Sequence, residues 1–256
     1  MLLAIDAGNT NVVFALLKGD KIFSEWRLVT NPKATRASLR KAITRGLRKA
    51  SVKPDGLVGG ILGSVVPSLN GPFKAAFRQA SGQRLRVVGE RGLRLPIANR
   101  LLKPKQAGAD RLLNALAGRV FYGAPLIVVD FGTATTLDVV GRDGAYLGGV
   151  ICPGPNLSAK ALNLYTAKLP RVSLARVGTA LGRSTEHAMR SGLYFGHMGA
   201  IEALIARLRS ELGGKVPSVA TGGWSGLFFG QTKALDHHRP DLTLQGLRLV
   251  FEHNRT

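Results

Sequence analysis

The chain has 256 residues, 45% of them apolar, which is enough to bury a sizeable core in one large domain or two of ordinary size. Asp6 and Asp130 interrupt the two most apolar stretches, so no run reaches membrane-spanning length, and an apolar start that ends at Asp6 without a basic flank argues against a signal peptide. The single cysteine, Cys152, excludes an internal disulfide and points to a reducing, cytoplasmic compartment, while the net charge of +21 is concentrated in residues 1–118, with 21 Lys and Arg against 6 Asp and Glu.

In chain order, residues 1–30 read as a β-meander with turns at Asn9-Thr10-Asn11 and Lys18-Gly19-Asp20. A helix is predicted over 35–50, with Leu39, Ile43 and Leu47 inward. Arg36, Arg40, Lys41, Arg45, Arg48 and Lys49 cover much of its remaining surface. A buried strand over 56–66 ends at Pro67. A helix over 73–80, a strand over 84–88 and a helix over 108–118 follow. The cycle then restarts with strands over 125–130, 135–140 and 145–150. Helices are predicted near 155–168 and 179–208, a strand over 218–220 and a last helix near 242–253. His237 and His238 are placed in a loop before Pro240, and Cys152 is read as a small apolar packing residue.

One motif occurs twice. Ala4-Ile5-Asp6-Ala7-Gly8-Asn9-Thr10-Asn11 and Val128-Val129-Asp130-Phe131-Gly132-Thr133-Ala134-Thr135 each carry an apolar strand into Asp-x-Gly and a second β-prone run. The carboxylate at the strand end suits a metal ion or its water. The glycine lets backbone N–H groups approach phosphate oxygens, and Thr and Asn add neutral donors. Neither GxxxxGK[ST] nor a GxGxxG after a strand is present, which disfavours Walker and Rossmann sites. The repeated β-β-β-α-β-α pattern predicts an α/β protein of duplicated ribonuclease H-like domains, as in actin-like ATPases and sugar kinases. Residues 1–118 and 119–256 would form the two domains, with a nucleotide cleft between them.

Several further segments, in the same order, resemble type III pantothenate kinases over nearly the whole chain: Gly108-Ala109-Asp110-Arg111, Tyr146-Leu147-Gly148-Gly149, Pro153-Gly154, Thr166-Ala167-Lys168-Leu169-Pro170, Thr185 and Thr221-Gly222-Gly223. The resemblance implies transfer of the ATP γ-phosphate to the primary hydroxyl of pantothenate, the opening of coenzyme A synthesis. It also implies Mg²⁺, a monovalent cation (K⁺ or NH₄⁺), a cytoplasmic location and a homodimer. Asp6, Ala7, Gly8, Asn9, Thr10, Asn11, Val12 and Val13 would form the first ATP-phosphate segment, with Asp6 facing Mg²⁺. Asp130 would hold the monovalent cation, Thr133 would contact ATP, and Gly222 and Gly223 would pass the adenosine. Gly108, Ala109, Asp110 and Arg111 would bind pantothenate, with Asp110 as proton acceptor, and Thr185 would contact substrate near the dimer interface.

The chemistry of the residues agrees. A loose, highly charged phosphoryl transition state needs positioning and charge stabilisation, and a carboxylate can orient the attacking alcohol and take its proton. Arg111 can fork to the pantothenate carboxylate. The plainer alternatives are a helix N-cap for Asp110 and a turn-capping role for Asp130.

Two departures bear on the substrate pocket. Leu101-Leu102-Lys103-Pro104 stands where many members carry Tyr-Asp-Asn-Pro or Val-Asp-Asn-Pro, which removes a tyrosine that touches substrate in some of them. Ser184 stands where asparagine is usual. Competing readings are a nucleic-acid-associated relative acting through the basic N-terminal half, which lacks any recognised nucleic-acid module, and a kinase for another small hydroxy acid.

Overall fold

The computed structural model describes residues 1–255, which cluster into two compact units. The first comprises Met1–Ile97, Lys103–Ala117 and Thr243–Thr256, and the second Ala98–Leu102 and Gly118–Leu242. The chain therefore passes between units inside one helix near residue 118 and returns to the first unit for its last helix.

In the first unit β1 (Leu2–Ala7), β2 (Asn11–Lys18) and β3 (Lys21–Val29) form an antiparallel meander. β4 (Gly59–Ser64) runs parallel to β1, and β5 (Leu85–Val87) runs parallel to β4, giving the order β3-β2-β1-β4-β5. Leu3, Ile5 and Ala7 point to one face, where α1 (Arg36–Lys49) and α2 (Asn70–Ser81) close a core with Ile43, Leu47, Phe73 and Phe77. α1 starts where the Thr35 side chain accepts the Ser38 N–H at 3.2 Å. A Cβ at Gly46 would overlap the Trp26 ring, so the missing side chain is what lets α1 lie on β3.

The opposite face carries Asp6. It is covered by the first part of α3 (Ala109–Tyr122) and by α8 (Leu242–His253). A Cβ at Gly63, the register partner of Asp6, would stand 3.0 Å from Leu113 of α3 and 3.1 Å from Leu247 of α8. Thr243 donates to Asn114 at 2.7 Å, and the Gln245 amide to the Asp20 carbonyl at 2.7 Å, which anchors α8.

The second unit repeats the plan. β6 (Leu126–Phe131), β7 (Ala134–Val140) and β8 (Tyr146–Pro153) form the meander. β9 (Ser218–Thr221) and β10 (His237–His238) add parallel strands in the order β10-β9-β6-β7-β8. Ile127, Val129 and Phe131 face a core shared with Tyr194, Ile201, Ile205 and Phe228. Two five-stranded sheets with the same mixed pairing are the duplicated ribonuclease H-like arrangement expected from the repeated pattern.

Several elements differ from expectation. The helix predicted over 179–208 starts only at α5 (Thr185–Ser191), passes through a π-helical turn at Gly192–Gly196 and continues as α6 (His197–Glu211). The residues before Ser184 carry no helix because Gly182 packs its bare Cα onto the backbone of Ala188. α4 (Pro155–Leu164) ends short of residue 168, and α7 (Ser225–Phe228) is a single turn. His237 and His238 form β10 instead of a loop, completing the sheet edge beside Val219 and Ala220. Cys152 lies half-buried on edge strand β8 opposite Thr135.

Candidate functional site

In the first unit the turn after β1 is held by its own backbone. The Gly8 N–H donates to the Asn11 carbonyl at 3.0 Å, and the Thr30 hydroxyl donates to the Gly8 carbonyl at 2.7 Å. The Val65 N–H reaches the Ala7 carbonyl at 3.1 Å. Asp6 and Val13 are register partners, Ala7 pairs with Val12, and Asn9, Thr10 and Asn11 are exposed at the tip. The hairpin thus presents one half-buried carboxylate and a short loop rich in polar side chains.

Asp110 is the second residue of α3, one turn before Leu113, which packs on Gly63 beside Asp6. The helical repeat puts residues three apart on the same side. The opening of α3 therefore lies over the strand pair that carries Asp6. Within this unit Gly108 to Arg111 and the Asp6 hairpin share one face of the sheet. Asp110 lies inside the helix and is not its N-cap. Its Oδ1 accepts the Arg111 N–H at 2.9 Å, while Oδ2 has no partner among the described residues. A Cβ at Gly108 would overlap Asp110 Oδ1, so glycine makes room for this carboxylate.

In the second unit Asp130 stands between Thr136 of β7 and Thr221 of β9 in register. It points away from the core face taken by Val129 and Phe131. The Gly132 N–H donates to the Ala134 carbonyl at 3.1 Å, closing the hairpin. Gly222 has φ +90°, and a Cβ there would overlap Asp130 Oδ1 and stand 2.7 Å from the Phe131 nitrogen. Gly154 donates its N–H to the Thr133 carbonyl at 3.1 Å, and a Cβ there would lie 2.5 Å from the Gly132 carbonyl oxygen. Asp130, Thr133, Gly222 and the adjacent, exposed Gly223 are thus gathered around one turn.

Thr185 does not join that group. It is the exposed first residue of α5, capped by the Ser184 hydroxyl, which accepts the His187 N–H at 3.3 Å. Leu102 is fully exposed, and Leu101 lies 3.1 Å from where a Gly148 Cβ would be.

Several groups around these turns had no role assigned from the sequence. Gly154, read there only as part of the Pro153-Gly154 motif, holds the Thr133 turn. Thr221 is fully buried, and its Oγ1 has no hydrogen-bond partner among the described residues. Ser225 donates to the Gly222 carbonyl at 2.7 Å and lies 2.9 Å from His238 Nε2, so β10 braces the Gly222 turn. Asp138 is a fully buried carboxylate, which accepts from the Tyr146 hydroxyl at 2.9 Å and from Thr136 at 2.8 Å.

The donor set fits hard cations. Asp6 and Asp130 offer carboxylate oxygens, and the orphaned Thr221 hydroxyl adds a neutral oxygen beside Asp130. Among the described residues no group of three or more His, Cys, Asp or Glu assembles a dedicated metal cage. A magnesium ion bound by one or two carboxylates and phosphate oxygens needs none.

The model of the family described as type III pantothenate kinase matches residues 2–207. Type III pantothenate kinase of Paramagnetospirillum magneticum is 43% identical over 256 residues, covering 100% of this chain and 98% of the relative. That of Acidiphilium cryptum is 43% identical over 254 residues, covering 99% and 95%. The inorganic polyphosphate/ATP-glucomannokinase of Arthrobacter sp. strain KM shares the fold, with a TM-score of 0.51, 13% identity, and 98% of each chain covered. On these matches over nearly its full length, the chain belongs to the type III pantothenate kinase family.

Proposed function

We propose that this chain transfers the γ-phosphate of ATP to the primary hydroxyl of pantothenate, giving 4′-phosphopantothenate. The kinase relatives and the duplicated phosphate-loop fold support that reading. The observation that carries the mechanism is the Asp110 carboxylate, with one oxygen fixed by a backbone N–H and the other without a partner among the described residues. Oδ1 sets the plane of the carboxylate, and Oδ2 accepts the hydroxyl proton as the oxygen attacks phosphorus. Arg111 offers a guanidinium fork for the pantothenate carboxylate. The Asp6–Val13 and Asp130–Thr133 turns supply backbone N–H and hydroxyl donors to phosphate oxygens, with Gly222 and Gly223 beside the adenosine. Thr185 adds a substrate contact.

Asp6 would hold Mg²⁺, which neutralises phosphate charge when bound. Asp130 would hold K⁺ or NH₄⁺, supported by its pairing with Thr221 and Thr136. The chain acts as a homodimer in this reading. Gly192, Gly196, Gly199, Ala200 and Ala203 are all exposed along the segment from the π turn into α6, which suits close helix approach. Among the described residues no helix is long and apolar enough to cross a membrane. The reading is tested by pantothenate-dependent ATP consumption; consumption that ignores pantothenate would overturn the substrate assignment.

A further inference from the structure

A cavity of about 460 Å³ opens in the first unit, lined by Gln83, Arg84, Arg86, Arg91, Phe251 and Asn254 among others. It lies beside Val58 and Gly59, at the amino end of β4. Asp6 pairs with Gly63, four residues further along, so the cavity and the phosphate hairpin occupy opposite ends of the sheet. A β-strand rises about 3.3 Å per residue, which separates the two by roughly 13 Å along the strand.

The lining is built, not incidental. Arg86 is half-buried, its guanidinium lies 5.1 Å from the Phe251 ring centroid, and it donates to the Asn254 carbonyl. A Cβ at Gly59 would stand 2.5 Å from the same ring, so glycine there seats Phe251. Asn254 is fixed in turn, donating to the Arg94 and Val250 carbonyls, each at 2.7 Å, and accepting the Arg94 N–H at 2.8 Å. A guanidinium carries five N–H donors, and Asn254 takes one of them.

The one carboxylate in the wall does not neutralise these arginines. Glu90 pairs with Lys74 at 2.7 Å and Arg84 at 3.4 Å, and accepts the Val87 N–H at 3.2 Å. Burial raises the Glu90 pKa, but these partners outweigh it, so the group lies below the usual carboxylate value and stays ionised. Lys74, outside the cavity wall, and Arg84 share its charge, so the lining that holds Arg84, Arg86 and Arg91 keeps a net positive charge.

We propose that this cavity binds a small phosphate-bearing anion, at a site separate from the nucleotide loops. Guanidinium forks match phosphate oxygens in charge and geometry, and a lining of Arg84, Arg86 and Arg91 against the one carboxylate of Glu90 favours a phosphate dianion over chloride or a monocarboxylate.

Calorimetric titration of the full chain tests this, at fixed ionic strength and with a non-hydrolysable ATP analogue filling the nucleotide site. The probes are sodium pyrophosphate and, separately, glycerol 3-phosphate. One further equivalent should bind. Arg84→Ala/Arg91→Ala should weaken it by about tenfold or more, each lost charge-assisted bond being substantial, while pantothenate kinase kcat/KM stays within about twofold. Binding of pyrophosphate alone identifies an inorganic phosphate ligand, and binding of glycerol 3-phosphate identifies a phosphomonoester. No binding of either probe, or undiminished affinity in the double variant, overturns the proposal.

Discussion

At Asp110 the geometry separates two roles that the sequence left open. An N-cap would lie outside the helix with its oxygens turned to the N2 or N3 amide. Here the residue lies within α3, and Oδ2 has no partner among the described residues. Asp110→Asn should retain the Arg111 bond and lose the proton acceptor. Turnover is expected to fall by about 10²-fold or more with an unchanged thermal melt; near-normal turnover in a folded variant would remove Asp110 from the mechanism. Gly222→Ala places a Cβ onto Asp130 at a backbone φ of +90°. It should cost about 1–3 kcal/mol in denaturant unfolding and raise KM for ATP, and a variant with neither change would contradict the packing described. If Asp130 holds a selective monovalent cation, exchanging K⁺ for Na⁺ should lower kcat; rates indifferent to the cation would exclude that role. Gly108, Gly154 and Gly222 stood in the sequence as motif letters. Their reason, space for Asp110 Oδ1, the Gly132 carbonyl and Asp130 Oδ1, depends on neighbours distant in the chain and is visible only in the fold.

Among the elements, the meanders and parallel strands were legible because alternation of apolar residues and turn glycines is a local signal. The segment from 179 to 208 was not. Its apolar spacing is helical throughout, yet Gly182 is held against α5 and the register slips by a π turn at Gly192–Gly196. β10 has only two residues, and its pairing with β9 gives no local sequence signal. His197, at the start of α6, lies 3.1 Å from Thr135 Oγ1 and packs on Phe131 and Phe228. Burial lowers its pKa, and that of His238. The folded form therefore takes up a proton less readily than the unfolded chain, whose histidines titrate near about pH 6.5. The stability contribution is present above that value and is lost as the pH falls below it. The melting temperature should drop between about pH 7 and 5.5, and His197→Gln should flatten the drop; an unchanged slope in the variant would show that His197 does not drive it.

For the whole molecule, the duplication was legible because two Asp-x-Gly hairpins each open a three-stranded meander, and the structure gives both units the same strand order. The return of α8 to the first unit was not, since Thr243 and Gln245 find partners at Asn114 and Asp20, far back in the chain. The basic face of α1 is exposed, as its periodicity predicted. The homodimer proposed above predicts a sedimenting mass near twice 27.2 kDa; a monomer at micromolar concentration would contradict it. With Mg²⁺ and K⁺ present, the purified chain should consume ATP only when pantothenate is added and yield 4′-phosphopantothenate by mass. A folded, ATP-binding protein that forms no such product would contradict the account.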